Sequence, residues 1–138
     1  MTGAAAPRDD GALRANGKMK EDPLKEKSLA FAVEIVKVAK RLRDESREFA
    51  LADQLLRSGT SIGANLAEAR YAASKRDFLA KCKISQKECA ETTFWLQLLA
   101  RCELLPTNQI QSLSESCAEL RRMLSATCKT LETVETRP

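Results

Sequence analysis

"RSGTSIGANLAEAR", residues 57–70, is the stretch whose reading decides the fold. Two glycines, two serines, a threonine and an asparagine cluster here, and such a cluster ordinarily marks a turn. The flanking residues say otherwise. Leu51, Leu55, Ser58, Ile62, Leu66 and Ala69 form one continuous stripe at three- and four-residue steps. Gln54, Arg57, Ser61, Asn65 and Glu68 form a second stripe beside it. A turn at Gly59 would reset the phase between the two halves, and neither stripe is reset, so the spacing predicts one unbroken helix.

That helix is expensive. Two interior glycines cost about 2 kcal/mol relative to alanine. Gly59, Gly63, Ala64 and Ala67 make one side of it thin, which lets a second backbone approach closely enough to offset the loss. The polar stripe needs partners if it is covered, because an unsatisfied buried polar group costs about 1–3 kcal/mol. Glu88, Glu91 and Thr92 are the candidates to face it from the following helix. A solvated face is the competing account of the same residues, although Ser, Gly and Asn are poor choices for one.

Working outward, Asp22-Pro23 supplies an N-cap and a first helical residue. The helix that follows carries Phe31, Ala32, Ile35, Val38, Ala39 and Leu42 at helical spacing. "DESRE" ends it, with Ser46 as the expected cap of the glycine-bearing helix. Ser74 and Asp77 have capping-box spacing and open a third helix with the stripe Phe78, Cys82, Ser85, Cys89, Thr92, Leu96, Leu99. Pro106 reads as its stop and Thr107 as the next cap. The fourth helix alternates three- and four-residue steps through Ile110, Leu113, Cys117, Leu120, Leu124, Cys128 and Leu131, the spacing of bundle packing. The expected architecture is all-α: an antiparallel up-down four-helix bundle over residues 23–133 behind a flexible, disordered N-terminal tail, residues 1–22, which has no periodicity.

Composition narrows the chemistry. The 138 residues contain no histidine, which removes the commonest general base and metal ligand. Glu88 and Glu91 stand at i, i+3, but a di-iron bundle needs Glu-x-x-His pairs. Catalysis, a metal and a cofactor are therefore not expected, nor is a small-molecule substrate. The five cysteines include no C-x-x-C pair and read as reduced, small apolar residues. No run approaches a membrane span and the N-terminus lacks the apolar core of a secretory signal, so a soluble, cytoplasmic protein is expected.

The formal charge of +4 is unevenly spread. Residues 24–43 hold six basic groups against Glu26 and Glu34, and Arg70 to Lys87 holds six against Asp77 alone. Arg76, Lys83 and Lys87 share one face of the third helix, and Lys37, Lys40 and Arg41 form a basic face on the first. Such groups neutralise phosphates of RNA or DNA without reading sequence. No aromatic residue is read among these lysines, and a merely solubilising face would use the same residues. A protein-interaction scaffold, with the polar stripe and Trp95 at contacts, is the alternative function.

"QLLRSGTSIGANLAEA" resembles the signature of the four-helix bundle proteins related to the 23S rRNA intervening-sequence proteins, in which a Gln and an Arg precede S-I-x-x-N-x-x-E. Gln54, Arg57, Ser61, Ile62, Asn65 and Glu68 occupy those positions. "KISQKECAETTFWLQLL" resembles a second run of that family through Lys83, Lys87, Glu88, Glu91, Thr92, Trp95 and Leu96. Ala69 departs from it, standing where many relatives have Gly. The resemblance covers roughly residues 24–105. It implies a bundle that assembles as a ring, typically a homopentamer, with the small-and-polar segment at helix–helix or subunit contacts. A related branch, the accessory proteins of diversity-generating retroelements, implies nucleic acid or a reverse transcriptase as a partner.

Overall fold

The computed structural model describes residues 22–135 and, before them, Arg14–Ala15 (β1) and Lys18–Met19 (β2). These two pairs form a two-residue antiparallel ladder, Arg14 opposite Met19 and Ala15 opposite Lys18. The tail expected over residues 1–22 otherwise lies outside the described residues, apart from Asp22. Four helices follow: α1 (Pro23–Asp44), α2 (Phe49–Ala69), α3 (Lys75–Arg101) and α4 (Thr107–Glu135). Each packs on its neighbour in sequence, and α4 returns to α1, with no diagonal contact. This is an all-α, up-down antiparallel four-helix bundle.

Residues 57–70 are helical as far as Ala69, with no break at Gly59. The reason is α1. A Cβ built on Gly59 would lie 2.8 Å from both Cγ1 and Cγ2 of Ile35, and one on Gly63 would lie 3.2 Å from Ser28 Oγ. The Ile35 side chain lies too close to the α2 backbone for a side chain at position 59. Ile35 is fully buried there and joins Phe31, Val38 and Leu42 in one core with Leu55, Ile62, Leu96, Leu99, Leu120 and Leu124.

Capping chemistry explains most of the boundaries. Asp22 Oδ1 accepts from the Lys25 backbone N–H at 3.1 Å, with Pro23 as the first helical residue. Ser74 Oγ accepts from the Asp77 N–H at 3.0 Å, and Asp77 Oδ2 accepts in return from Ala73 at 3.3 Å. Three expectations move. Ser46 does not cap α2; the N-cap is Glu48, without a side-chain bond, because Arg47 takes a left-handed conformation (φ 57°) and carries the chain two residues further. Thr107 lies inside α4, whose first turn hangs from the Pro106 carbonyl. Pro106 is not what stops α3 either. Glu103 at φ 56° reverses the chain, with Glu103 N–H to Ala100 O and Leu104 N–H to Leu99 O, a Schellman closure.

Buried hydroxyls tie α3 to α2. Thr92 Oγ1 donates to Ser58 Oγ at 3.0 Å and Ser85 Oγ donates to the Ile62 carbonyl at 2.9 Å. All five cysteines are free thiols; Cys102 alone is exposed, because it falls in the turn after α3. Burial pushes the Cys82 thiol up to about 11, so it stays protonated and inert.

The two glycines predict a graded response. Gly59→Ala gains up to about 1 kcal/mol of helix propensity but overpacks a buried, branched side chain, which costs about 1–3 kcal/mol. Its urea midpoint, followed by helical circular dichroism, should fall. Gly63→Ala is tight only against the Ser28 hydroxyl at 3.2 Å, with Ser28 Cβ and O at an ordinary 3.5 Å, and should stay within about 1 kcal/mol of wild type. Equal midpoints for the two variants would contradict a backbone contact centred on position 59.

Candidate functional site

The polar stripe of α2 meets α3 along a half-exposed seam. Arg57 reaches both carboxylates expected to face it: its Nη1 lies 3.3 Å from Glu88 Oε1, and its Nη2 pairs with Glu91 Oε2. Trp95 Nε1 donates to Glu91 Oε2 at 3.0 Å. Ser61 Oγ donates to the Arg57 carbonyl at 2.6 Å and Asn65 Nδ2 to the Ser61 carbonyl at 2.8 Å, so these two side chains serve their own helix. Glu68 pairs with Lys81 of α3 at 2.7 Å, and Gln54 is exposed. Thr92 meets Ser58 rather than the stripe, because it lies on the buried side of α3.

The Arg57 guanidinium, and then the Trp95 indole N–H, hold the Glu91 carboxyl below the usual carboxylate range. Arg57 in turn is pushed further up by Glu91 and Glu88. With one cation bridging both, these carboxylates are poor ligands for a metal. Among the described residues no three His, Cys, Asp or Glu side chains converge as metal ligands would.

The two basic faces differ in their surroundings. On α1 each cation lies against a carboxylate three or four residues away: Lys37 with Glu34 at 3.3 Å, Lys40 with Asp44 at 2.9 Å and Arg41 with Glu45 at 3.1 Å. Asp44 raises the Lys40 pKa by its hydrogen bond. On α3, Lys83 pairs with Glu132 of α4 at 2.7 Å, whereas neither Arg76 nor Lys87 meets a carboxylate among the described residues. Arg101 continues this exposed face, and Arg121, Arg122 and Lys129 are exposed on α4.

Phe94 was missed by the sequence reading. It stands one heptad after Lys87 and one heptad before Arg101, so an aromatic ring does share the basic face. Its ring is 55% exposed and meets Trp95 edge-on, centroids 5.0 Å apart at 73°. Spacing from Lys87 could have found it, but an apolar residue beside Trp95 reads first as core.

The outer flank of α1 and α2 is apolar. Leu29, Val33 and Val36, 58%, 46% and 48% exposed, repeat at i, i+4 and i+7 on α1. A hollow of about 330 Å³ beside them is lined by Leu24, Leu29, Ala32, Gly63, Ala64 and Ala67. On the α1–α4 seam a groove of about 630 Å³ has Phe31, Val38, Leu113 and Leu120 in its wall. Lys27–Glu119 at 3.2 Å and Arg41–Gln109 at 3.2 Å bridge the two helices along it. Among the described residues no helix is long and apolar enough to cross a membrane.

Because the folded pKa of Glu91 is depressed, its stabilising contribution is present above the unfolded value, about pH 4.3, and is lost as pH falls through the lowered one. Emission of the sole tryptophan, Trp95, should therefore titrate with a midpoint below about pH 4.3, and Arg57→Gln should move that midpoint up. An unchanged midpoint in the variant would show that Arg57 is not the cause.

Comparison with known proteins agrees with this geometry. No curated protein matches the chain. A crystal structure of a protein of unknown function from the S23 ribosomal protein family of Bacteroides thetaiotaomicron VPI-5482 is 45% identical, with a TM-score of 0.76 over 77% of this chain and 98% of that one. The family model for the 23S rRNA-intervening sequence protein matches residues 21–126. With the signature residues Arg57, Ser61, Asn65 and Glu68 set along one helix seam and a matching model over most of the bundle, the chain belongs to the 23S rRNA-intervening sequence protein family.

Proposed function

We propose that this protein is a non-enzymatic bundle that assembles with copies of itself and binds nucleic acid through its α3–α4 face. One observation carries the choice of face. Among the described residues Arg76 and Lys87 are exposed cations with no carboxylate against them, whereas Lys37, Lys40 and Arg41 on α1 each lie beside an acid three or four residues away. An unneutralised cation gains a full phosphate contact; a cation already paired must exchange one anion for another. The family's name ties it to 23S rRNA, which supports an RNA-rich, cytoplasmic setting.

Self-assembly uses the other side of the molecule. Leu29, Val33 and Val36 form an exposed apolar stripe whose Leu29 end lies next to the small residues Ala64 and Ala67. A contiguous apolar flank of this kind marks a protein contact. The family signature implies five subunits, and we adopt that number. A ring repeats each weak basic face around its symmetry axis and turns it into a multivalent surface. No cofactor or small-molecule substrate enters this reading. A reverse-transcriptase-like enzyme is the protein partner that the same basic, nucleic-acid-bearing face would suit.

Two variants separate the surfaces. Leu29→Lys combined with Val33→Glu should reduce the particle to single chains with unchanged helical content. Arg76→Glu combined with Lys87→Glu should keep the assembled mass but weaken binding to short labelled RNA by at least about tenfold, and wild-type affinity should fall steeply with salt. Wild-type affinity in the charge-reversed protein would overturn the assignment of the face. A protein partner bound without salt dependence, and no nucleic acid bound, would favour the scaffold alternative.

A further inference from the structure

We propose that the α3 face takes an unpaired nucleic-acid strand, with Phe94 as the platform on which one base stacks. This rests on the reading of that face as a nucleic-acid surface and specifies its substrate. Lys87 and Arg101 stand one heptad to either side of Phe94, about 10 Å away along the helix, and Arg76 and Lys83 extend the same line of exposed cations. Phe94 is 55% exposed in the middle of that run.

The ring is also braced. Trp95 meets it edge-on at 5.0 Å, Glu91 accepts from the Trp95 indole N–H at 3.0 Å, and Arg57 of α2 holds Glu91. A fixed, solvent-facing ring flanked by cations has the two components of single-strand recognition, a stacking platform and a track of positive charge. A duplex hides its base faces in its own stack, so a side chain on a helix surface cannot reach them; only an unpaired base offers one. The second exposed ring near the run, Tyr71 in the turn before α3, is 80% exposed and lies just ahead of Lys75 and Arg76.

The test uses the full-length assembled protein and three fluorescein-labelled probes: a twelve-residue uridine strand, a twelve-residue thymidine strand and a duplex of equal length. Anisotropy gives affinity, and Trp95 emission reports events beside Phe94. Both single strands should bind at least about tenfold tighter than the duplex and should change Trp95 emission, which the duplex should not. Phe94→Ala should lose roughly tenfold in single-strand affinity, a loss within the range for one base–aromatic stack. Phe94→Leu, which keeps apolar volume without a π face, should bind as weakly as the alanine variant, and Phe94→Tyr should bind as wild type. Preference for uridine over thymidine would assign the strand as RNA, and equal affinity would assign either nucleic acid. If Phe94→Ala or Phe94→Leu binds the strands like wild type at unchanged mass, or the duplex binds equally well, the inference is overturned while the basic face stands. If no probe binds at low salt, both are overturned.

Discussion

The contact between Gly59 and Ile35 sets the geometry of the bundle. With no Cβ at position 59, α1 lies against the α2 backbone, and Ile35 fills the space that a side chain would take. That approach buries Ser28, Ile35 and Gly59 in one seam. It also leaves Leu29, Val33 and Val36 on the outside, with Leu29 beside Ala64 and Ala67. The helix penalty of two glycines is thus offset by close packing on one side of α2. On the other side, hydroxyls of Ser58, Ser85 and Thr92 register α3 through buried hydrogen bonds, leaving no buried side-chain polar atom unsatisfied among the described residues.

With the core settled, the surface divides by chemistry. The α1–α2 flank is apolar, the α2–α3 seam is a bridged polar network around Arg57, and the α3–α4 side is basic. The seam connects the other two in a physical sense. Arg57 and Glu91 hold Trp95, and Trp95 meets Phe94 edge-on on the basic side. Of the signature residues, Arg57 and Glu68 bridge α2 to α3, Ser61 and Asn65 bond within α2, and the proposed binding groups are those left outward on α3.

The core was legible in the sequence because its information is periodic. Leu55, Ser58 and Ile62 kept phase through the glycines, and the α3 and α4 stripes named nearly the whole buried set. Boundaries were less legible. Arg47 and Glu103 adopt left-handed conformations that glycine usually takes, so the turns after α1 and α3 were placed but their exact caps were not. The partners of Arg57 could be named from spacing, since Glu88 and Glu91 recur on one side of α3. The basic faces were harder. Counting charge by segment concealed that Glu34, Asp44 and Glu45 stand three or four residues from Lys37, Lys40 and Arg41, close enough to neutralise them. Phe94 was overlooked for a different reason: it is out of phase with the buried stripe of α3 and in phase with Lys87 and Arg101, but an apolar residue beside Trp95 reads first as core.

Hydroxyl-radical footprinting of the assembled protein, with and without a bound single strand, tests most directly whether assembly and binding occupy opposite sides. In the assembled protein Leu29, Val33 and Val36 should be protected while Phe94 is labelled, and adding the strand should protect Phe94 alone. Protection of Phe94 by assembly itself, with Leu29, Val33 and Val36 still labelled, would contradict the account.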